Sequence, residues 1–431
     1  MNLQIEGGHK LSGTIVTKTS KNGAMGILSA SLLNKGKTII KNVPKIEEVY
    51  RMIEVLESIG VDVKWNKDDL EIEPKKIDLK KINRNSAEKT RSIIMLIGSL
   101  VHHFNKFSLP QSGGCKLGAR TVTPHFFALE NFGIDIKTKS DSYEVSAKKL
   151  KPAEFALYES GDTVTENAIM AASLIPGKSV IKFASANYQV QDLCFFLKNL
   201  GINIEGVGTT TLIIHGVKEI RKNVTYYLAE DPIDSMFFIA SAILTNSGIK
   251  IERCPIDFLE IELLKLKKMN FRYKLSKVYK ALNNMTNLVD ITISPSKLIA
   301  LSDKIEARPY PGLNIDNLPF FAVIATQAKG QTLIHDWVYE KRAIHYKELD
   351  KLGADTILAD QHRFYVNGKT ELKPAEIMCP PALRPAAIIL IAMLSAKGTS
   401  ILRNVYSINR GYEEIAKRLN SLGAKIKILE D

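Results

Sequence analysis

Cysteine is scarce in this 431-residue chain: Cys115, Cys194, Cys254 and Cys379 stand far apart and form no Cys-x-x-Cys pair. Neither a disulfide framework nor a zinc site of the usual spacing is implied, and a reducing cytoplasm is the expected compartment. Long apolar runs are missing as well. The run 386–394 is far too short to span a bilayer, and the segment Met1-Asn2-Leu3-Gln4-Ile5-Glu6-Gly7-Gly8 has no basic head followed by an apolar stretch. Neither membrane insertion nor a signal peptide is therefore expected. The Walker sequence is absent, since Gly7-Gly8-His9-Lys10 has the wrong spacing, and no Gly-x-Gly-x-x-Gly follows a strand. His102, His103 and His125 have no obvious third ligand beside them, so no metal and no cofactor are expected.

What is present in excess is positive charge. Lys and Arg number 59 against 46 Asp and Glu, a formal balance of +13. Such a balance suits anionic partners, either nucleic acid or small phosphorylated ligands. Much of the excess is scattered lysine, as in Lys75-Lys76, Lys80-Lys81 and Lys148-Lys149, with no aromatic residues interleaved. A solvated surface explains that pattern, and no nucleic-acid partner is expected.

The chain repeats itself. A short strand, a helix with 3.6-residue periodicity, a helix-ending glycine (asparagine in the fourth copy) and a second strand recur six times, with helix ends at positions 60, 133, 201, 270, 353 and 423. These are 73, 68, 69, 83 and 70 residues apart, a near-constant period. The outer helices are read at 46–59, 121–132, 191–200, 257–269, 344–352 and 411–422. Between them lie second segments, at 24–33, 87–101, 166–174, 235–244, 318–328 and 385–394, each rather apolar all round and hence buried. Six units divide into three and three. The expected domains are 20–229, and 1–19 with 230–431, the second being discontinuous because Leu3-Gln4-Ile5 is expected to complete its last sheet.

Several residues could carry chemistry. Gln111-Ser112-Gly113-Gly114-Cys115-Lys116-Leu117-Gly118-Ala119-Arg120 places one cysteine in a basic, glycine-rich turn, where neighbouring cations favour a thiolate or hold an anion. The ordinary reading of a lone cysteine, a small buried hydrophobe, stands beside that one. Lys21, Arg91, Arg120, Arg342, Arg384 and Arg410 form a set expected to line one interdomain cleft, several of them at starts of inner helices, where backbone donors and the helix dipole favour anions. Asp316 precedes an apolar helix and reads either as its cap or as a base among positive charges. Asp231 and Asp234 are open in the same way.

Three stretches then carry a resemblance that covers nearly the whole chain: Ser20-Lys21-Asn22-Gly23-Ala24, the turn from Gly113 to Arg120, and Ile408-Asn409-Arg410-Gly411-Tyr412-Glu413, with weaker support from Tyr339-Glu340-Lys341-Arg342 and Leu383-Arg384. In these the chain resembles the bacterial enolpyruvyltransferase family. The resemblance implies a two-domain inside-out α/β barrel built from six repeats. It implies transfer of the enolpyruvyl group of phosphoenolpyruvate to the 3'-hydroxyl of UDP-N-acetylglucosamine, the first committed step of peptidoglycan precursor synthesis. It implies Lys21, Arg120 and Arg410 on the phosphoenolpyruvate anion, Arg342 and Arg384 on its carboxylate or in closure, and Cys115 in acid chemistry or product release. Asp316 would be the base at the sugar hydroxyl and Asn22 the amide holding the intermediate, with Asn22, Arg91, Arg120 and Asp316 on the sugar nucleotide. The expected partners are these two substrates, and a monomer is the expected state.

Departures fall on the acceptor side. Where the family commonly has Ser-Val-Gly-Ala-Thr, which helps receive a diphosphate, this chain has Gly161-Asp162-Thr163-Val164-Thr165; an Arg-Glu-Pro-Glu-type stretch becomes Ala186-Asn187-Tyr188-Gln189, and Thr121 replaces a proline. Another nucleotide sugar or hydroxylated acceptor is the alternative, and a non-enzymatic anion- or nucleic-acid-binding module the second one.

Overall fold

The computed structural model describes residues 1–111, 113 and 121–429. They form two compact units, one from residues 1–18 and 230–429, the other from the described residues between 19 and 229.

One plan is used six times. In the third repeat, strand Gly177–Lys182 leads into helix Tyr188–Leu200, which ends at Gly201 in the left-handed conformation; the chain returns as strands Asn203–Glu205 and Thr211–Gly216. The sheet order is Asn203–Glu205, Thr211–Gly216, Gly177–Lys182 and then Glu154–Ala156, the last pair parallel and the others antiparallel. The first repeat has the same order: Val61–Asn66, Asp69–Pro74, Thr38–Lys41 and, parallel, Val224–Tyr227. All six helix-ending positions have positive φ, at 93, 87, 99, 67, 83 and 95° for Gly60, Gly133, Gly201, Asn270, Gly353 and Gly423. Five are glycine because a Cβ is strained there.

Strand Asn2–Gly7 lies between Gly398–Arg403 and Lys425–Leu429, antiparallel to both, in the place that a return strand fills elsewhere. Strand Thr14–Val16 pairs in parallel with Lys250–Pro255.

The apolar second helices are the interior. Helices Leu318–Ala325 and Leu383–Ser395 are buried almost throughout, as is Pro232–Leu244, whose Phe237 meets Phe238 and Phe320 edge to face. The strands bury one face on them, Thr38–Lys41 alternating between buried and half-buried positions. The expected barrel is corrected: among the described residues there are six open sheets of three to five strands, and none closes on itself. Closure needs a first and a last strand that can pair, whereas these sheets stop at short edges such as the three residues Glu154–Ala156.

Three expected helices also differ. The segment 87–101 breaks into Arg84–Lys89, a 3-10 turn Arg91–Met95 and Leu96–Leu100, because Thr90 is extended and its hydroxyl accepts from Ser92 N while donating to Glu48. The segment 344–352 lies in the 3-10 helix Ala343–Leu352. The last helix starts only at Ile415, after Glu414 with φ 45°. No helix of the described residues is long and apolar enough to cross a membrane.

Candidate functional site

In the unit between residues 19 and 229, the starts of the helices are tied to one another. Ser20 caps helix Lys21–Ala30, its hydroxyl accepting from Gly23 N at 2.9 Å, so Lys21 and Asn22 occupy the first turn. Asn22 donates through Nδ2 to the Tyr188 hydroxyl at 2.9 Å, and Tyr188 opens helix Tyr188–Leu200 under the cap of Asn187. Asn187 donates in turn to Asp162 Oδ2 at 3.0 Å, and Ser185 Oγ donates to Asp162 Oδ1 at 2.5 Å. Asp162 is the first residue of helix Asp162–Ser173, where a carboxylate is favoured by the helix dipole. Beside it, Thr163 Oγ1 lies 3.3 Å from Nε2 of buried His125, whose Nδ1 is 3.1 Å from the Asn167 amide. Burial, then the charge of Arg91, pushes the His125 pKa down to about 3, so the ring is neutral. Arg91 donates to the Thr121 carbonyl at 3.3 Å.

The two stretches that depart from the family pattern are thus partners of one clasp, Asp162 with Ser185 and Asn187. The carboxylate that would repel a diphosphate is internally hydrogen-bonded. Further along the same helix lies Glu166, fully buried; burial first, and then the Asp162 charge, hold its pKa well above the usual carboxylate range, against the opposing effects of the Gln189 hydrogen bond and, more weakly, Lys21.

The unit containing residues 230–429 joins two of the expected site residues directly. Arg384, in the first turn of Leu383–Ser395, donates through Nη2 to Asp316 Oδ2 at 3.1 Å and through Nη1 to the Tyr412 hydroxyl at 3.0 Å. Asp316 does not cap the following helix. Its amide is instead held by Asn314 Oδ1 at 2.8 Å, and helix Leu318–Ala325 has no side-chain cap. Arg410 is half-buried and follows helix Tyr406–Asn409.

Arg342 differs in kind. It is fully buried, donates Nε and Nη2 to Asp336 at 2.6 and 2.8 Å, and stacks on Tyr339 at 4.7 Å, while its Nη1 has no hydrogen-bond partner among the described residues. Burial opposes the charge, but Tyr346 and Asp336 outweigh it and keep the guanidinium protonated. Asp231 caps helix Pro232–Leu244, and Asp234 forms a two-pronged pair with Arg418 at 2.7 and 2.8 Å. Both roles are structural.

Cys115 and Arg120 lie outside the described residues. The other three cysteines are buried, and burial pushes each thiol up to about 12. Among the described residues no group of three or more His, Cys, Asp or Glu side chains could hold a metal ion.

Residues 5–419 match the family model of EPSP synthase (3-phosphoshikimate 1-carboxyvinyltransferase). The UDP-N-acetylglucosamine 1-carboxyvinyltransferase of Borreliella burgdorferi is 34% identical over 425 residues, 98% of either chain. This chain belongs to the enolpyruvyltransferase family. The enzyme of the same name from Treponema denticola is 33% identical over 99% of both chains. Among solved structures, the enolpyruvyl transferase NikO from Streptomyces tendae superposes with a TM-score of 0.86 at 23% identity, covering 99% of this chain and 98% of that one. EPSP synthase from Acinetobacter baumannii gives 0.74 at 17%, covering 99% and 100%. At those identities the structures speak for the fold alone.

As an enolpyruvyltransferase the chain shows four residues that sequence reasoning passed over. Tyr188 and Tyr412 fix the side chains of Asn22 and Arg384, Asp336 fixes Arg342, and Glu166 feels the charge of Lys21. Only Glu166 left a signal, a carboxylate at the start of the segment 166–174, which reads as rather apolar and buried.

Proposed function

We propose that this enolpyruvyltransferase moves the enolpyruvyl group of phosphoenolpyruvate onto the 3'-hydroxyl of UDP-N-acetylglucosamine and releases phosphate, as an early cytoplasmic step of peptidoglycan precursor synthesis. The observation that carries the reading is the Asp316–Arg384 contact at 3.1 Å, which pairs the candidate base with a candidate carboxylate grip. The functional domains would be 20–229, and 1–19 with 230–431, acting as a monomer without nucleic acid.

The chemistry asks for an acid, a base and fixed cations. Protonation of the methylene carbon of phosphoenolpyruvate, with Cys115 as the candidate acid, makes C2 electrophilic. Asp316 takes the proton of the sugar hydroxyl as its oxygen bonds to C2. The tetrahedral intermediate carries carboxylate and phosphate together, and preorganised donors stabilise both without reorganising. Lys21, Arg120 and Arg410 serve the phosphoenolpyruvate anion, Arg342 and Arg384 its carboxylate or closure, and Asn22 the intermediate; Arg91 meets the sugar nucleotide. Loss of phosphate from C2 and of a proton from the former methylene carbon restores the vinyl ether.

A second reading keeps the mechanism and changes the acceptor. It is favoured by one observation, the Asp162 carboxylate held by Ser185 and Asn187 at a helix start. The test is phosphate release from phosphoenolpyruvate with UDP-N-acetylglucosamine and with a panel of other nucleotide sugars, with product masses recorded. The expected product is UDP-N-acetylglucosamine heavier by one enolpyruvyl unit, formed far more slowly by Lys21→Ala. Turnover only with another sugar would select the second reading, and no release with any acceptor would defeat both.

A further inference from the structure

One stretch of the surface has no part in the chemistry above. From Leu263 to Val289 the chain carries Lys265, Lys267, Lys268, Arg272, Lys274, Lys277 and Lys280, and no Asp or Glu. Its central part is an edge: strand Arg272–Leu275 and the short strand Tyr279–Lys280 both pair with Asn287–Ser294, at the outer side of a five-stranded sheet. The turn after Lys280 reverses through Asn284, which has φ 59°.

Two properties coincide on this edge. Arg272, Lys274, Lys277 and Lys280 are all exposed, and none lies within ion-pair distance of a carboxylate among the described residues. Elsewhere exposed lysines are commonly paired, as Lys35 with Glu219 or Lys182 with Glu154. Among these cations and just beyond the last of them stand aliphatic side chains that a soluble surface normally hides: Leu275, Val278, Leu282 and Met285 are 44, 61, 51 and 44% exposed. Scattered exposed apolar residues need no explanation, but four within eleven positions at one sheet edge form a patch.

We propose that this hairpin edge docks on an anionic lipid surface, its lysines against headgroup phosphates and its aliphatic side chains in the headgroup and acyl boundary. The charge is of one sign and unneutralised, as attraction to an anionic leaflet requires. The side chains between the charges decide the class of partner. Nucleic acid would be met by planar groups that stack and by polar groups that read bases. Here the protruding groups are leucine, valine and methionine, which gain by leaving water for hydrocarbon. Of the two tyrosines, Tyr273 is half-buried with its ring against Phe271 at 5.6 Å, and Tyr279 has its hydroxyl committed to Asp290 at 2.7 Å. The edge thus makes a peripheral attachment, with no segment crossing the bilayer.

The test is flotation of the full chain with vesicles of phosphatidylcholine alone and with vesicles in which about a third of the lipid is phosphatidylglycerol, at roughly 0.1 M salt. The chain is expected to float with the anionic vesicles and not with the neutral ones. K274E/K277E/K280E should lower partition at least about tenfold, and V278S/L282S/M285S should lower it several-fold with the charge unchanged. Thermal unfolding midpoints report that each variant is folded, and K277E and L282S singly carry the test if a triple variant is not. Failure of the parent chain to float with anionic vesicles would overturn the proposal. So would undiminished flotation of the serine variant, tighter binding to single-stranded RNA than to vesicles, or a concentration-dependent dimer abolished by the same substitutions.

Discussion

A guanidinium sealed from water depends on its carboxylate far more than a surface lysine does. Arg342 and Asp336 are both fully buried, and Tyr346 adds a hydroxyl donor to Asp336 at 2.6 Å. In that setting the pair need not be a net source of stability, because desolvating two ions offsets much of their attraction. Removing one partner is another matter, since it leaves an uncompensated charge. Asp336→Ala is expected to destabilise the protein by about 3 to 5 kcal/mol in urea titration. Lys35→Ala, which breaks the exposed pair with Glu219, should cost less than about 1 kcal/mol. Equal losses in the two variants would show that the buried pair is solvated in a way the geometry does not allow. The sequence offers Arg342 as one of six cations lining a cleft; its partner lies only six positions upstream, but nothing in a sequence says that both will be buried.

Between two inner helices, a glycine marks a close approach. Gly98, in helix Leu96–Leu100, donates its amide to Asn167 Oδ1 at 2.7 Å, and a Cβ there would stand 2.4 Å from the Asn167 carbonyl oxygen. Backbone cannot retreat as a side-chain tip can, so Gly98→Ala should force the helix Asp162–Ser173 away. The expected loss is about 1 to 3 kcal/mol, read as a lower urea midpoint with the slope unchanged; an unaltered midpoint would mean that the two helices slide freely. Such contacts are what the sequence cannot announce. The outer helices and their left-handed ends were legible because a period of 3.6 and a glycine are local signals. The return strands were not, since Asp69–Pro74 buries only Leu70 and Ile72 fully and two alternating residues are a weak pattern. Nor was the break at Thr90, which depends on Glu48 from another helix. In the candidate site, Lys21, Asn22, Asp316 and Arg384 were legible from short motifs, whereas Tyr188 and Tyr412 act through partners 166 and 28 residues away.

At the scale of the molecule the two units are built on the same plan but are not equally self-sufficient in sequence. The unit between residues 19 and 229 takes all its described strands from that one stretch, and its last strand, Val224–Tyr227, returns to pair with Thr38–Lys41 of its first repeat. Its core is one continuous cluster running from Ala24 to Leu228. The other unit borrows two strands from residues 1–18. Asn2–Gly7 is an inner strand, hydrogen-bonded on both edges, and Thr14–Val16 finishes a second sheet. Without them Lys425–Leu429 has no partner within its sheet and the buried side chains of Leu3 and Ile5 leave a gap over helix Leu383–Ser395. Expressed separately, residues 19–229 are therefore expected to unfold in urea as a single cooperative transition. Residues 230–431 are expected to lack one until residues 1–18 are supplied, either as a peptide or through a linker joining position 18 to position 230. The linked form restores the strands at a high effective concentration, so it should fold where the mixture does so only partly. Cooperative unfolding of 230–431 by itself would show that the borrowed strands are dispensable, and failure of 19–229 to fold would show that its core needs the rest of the chain.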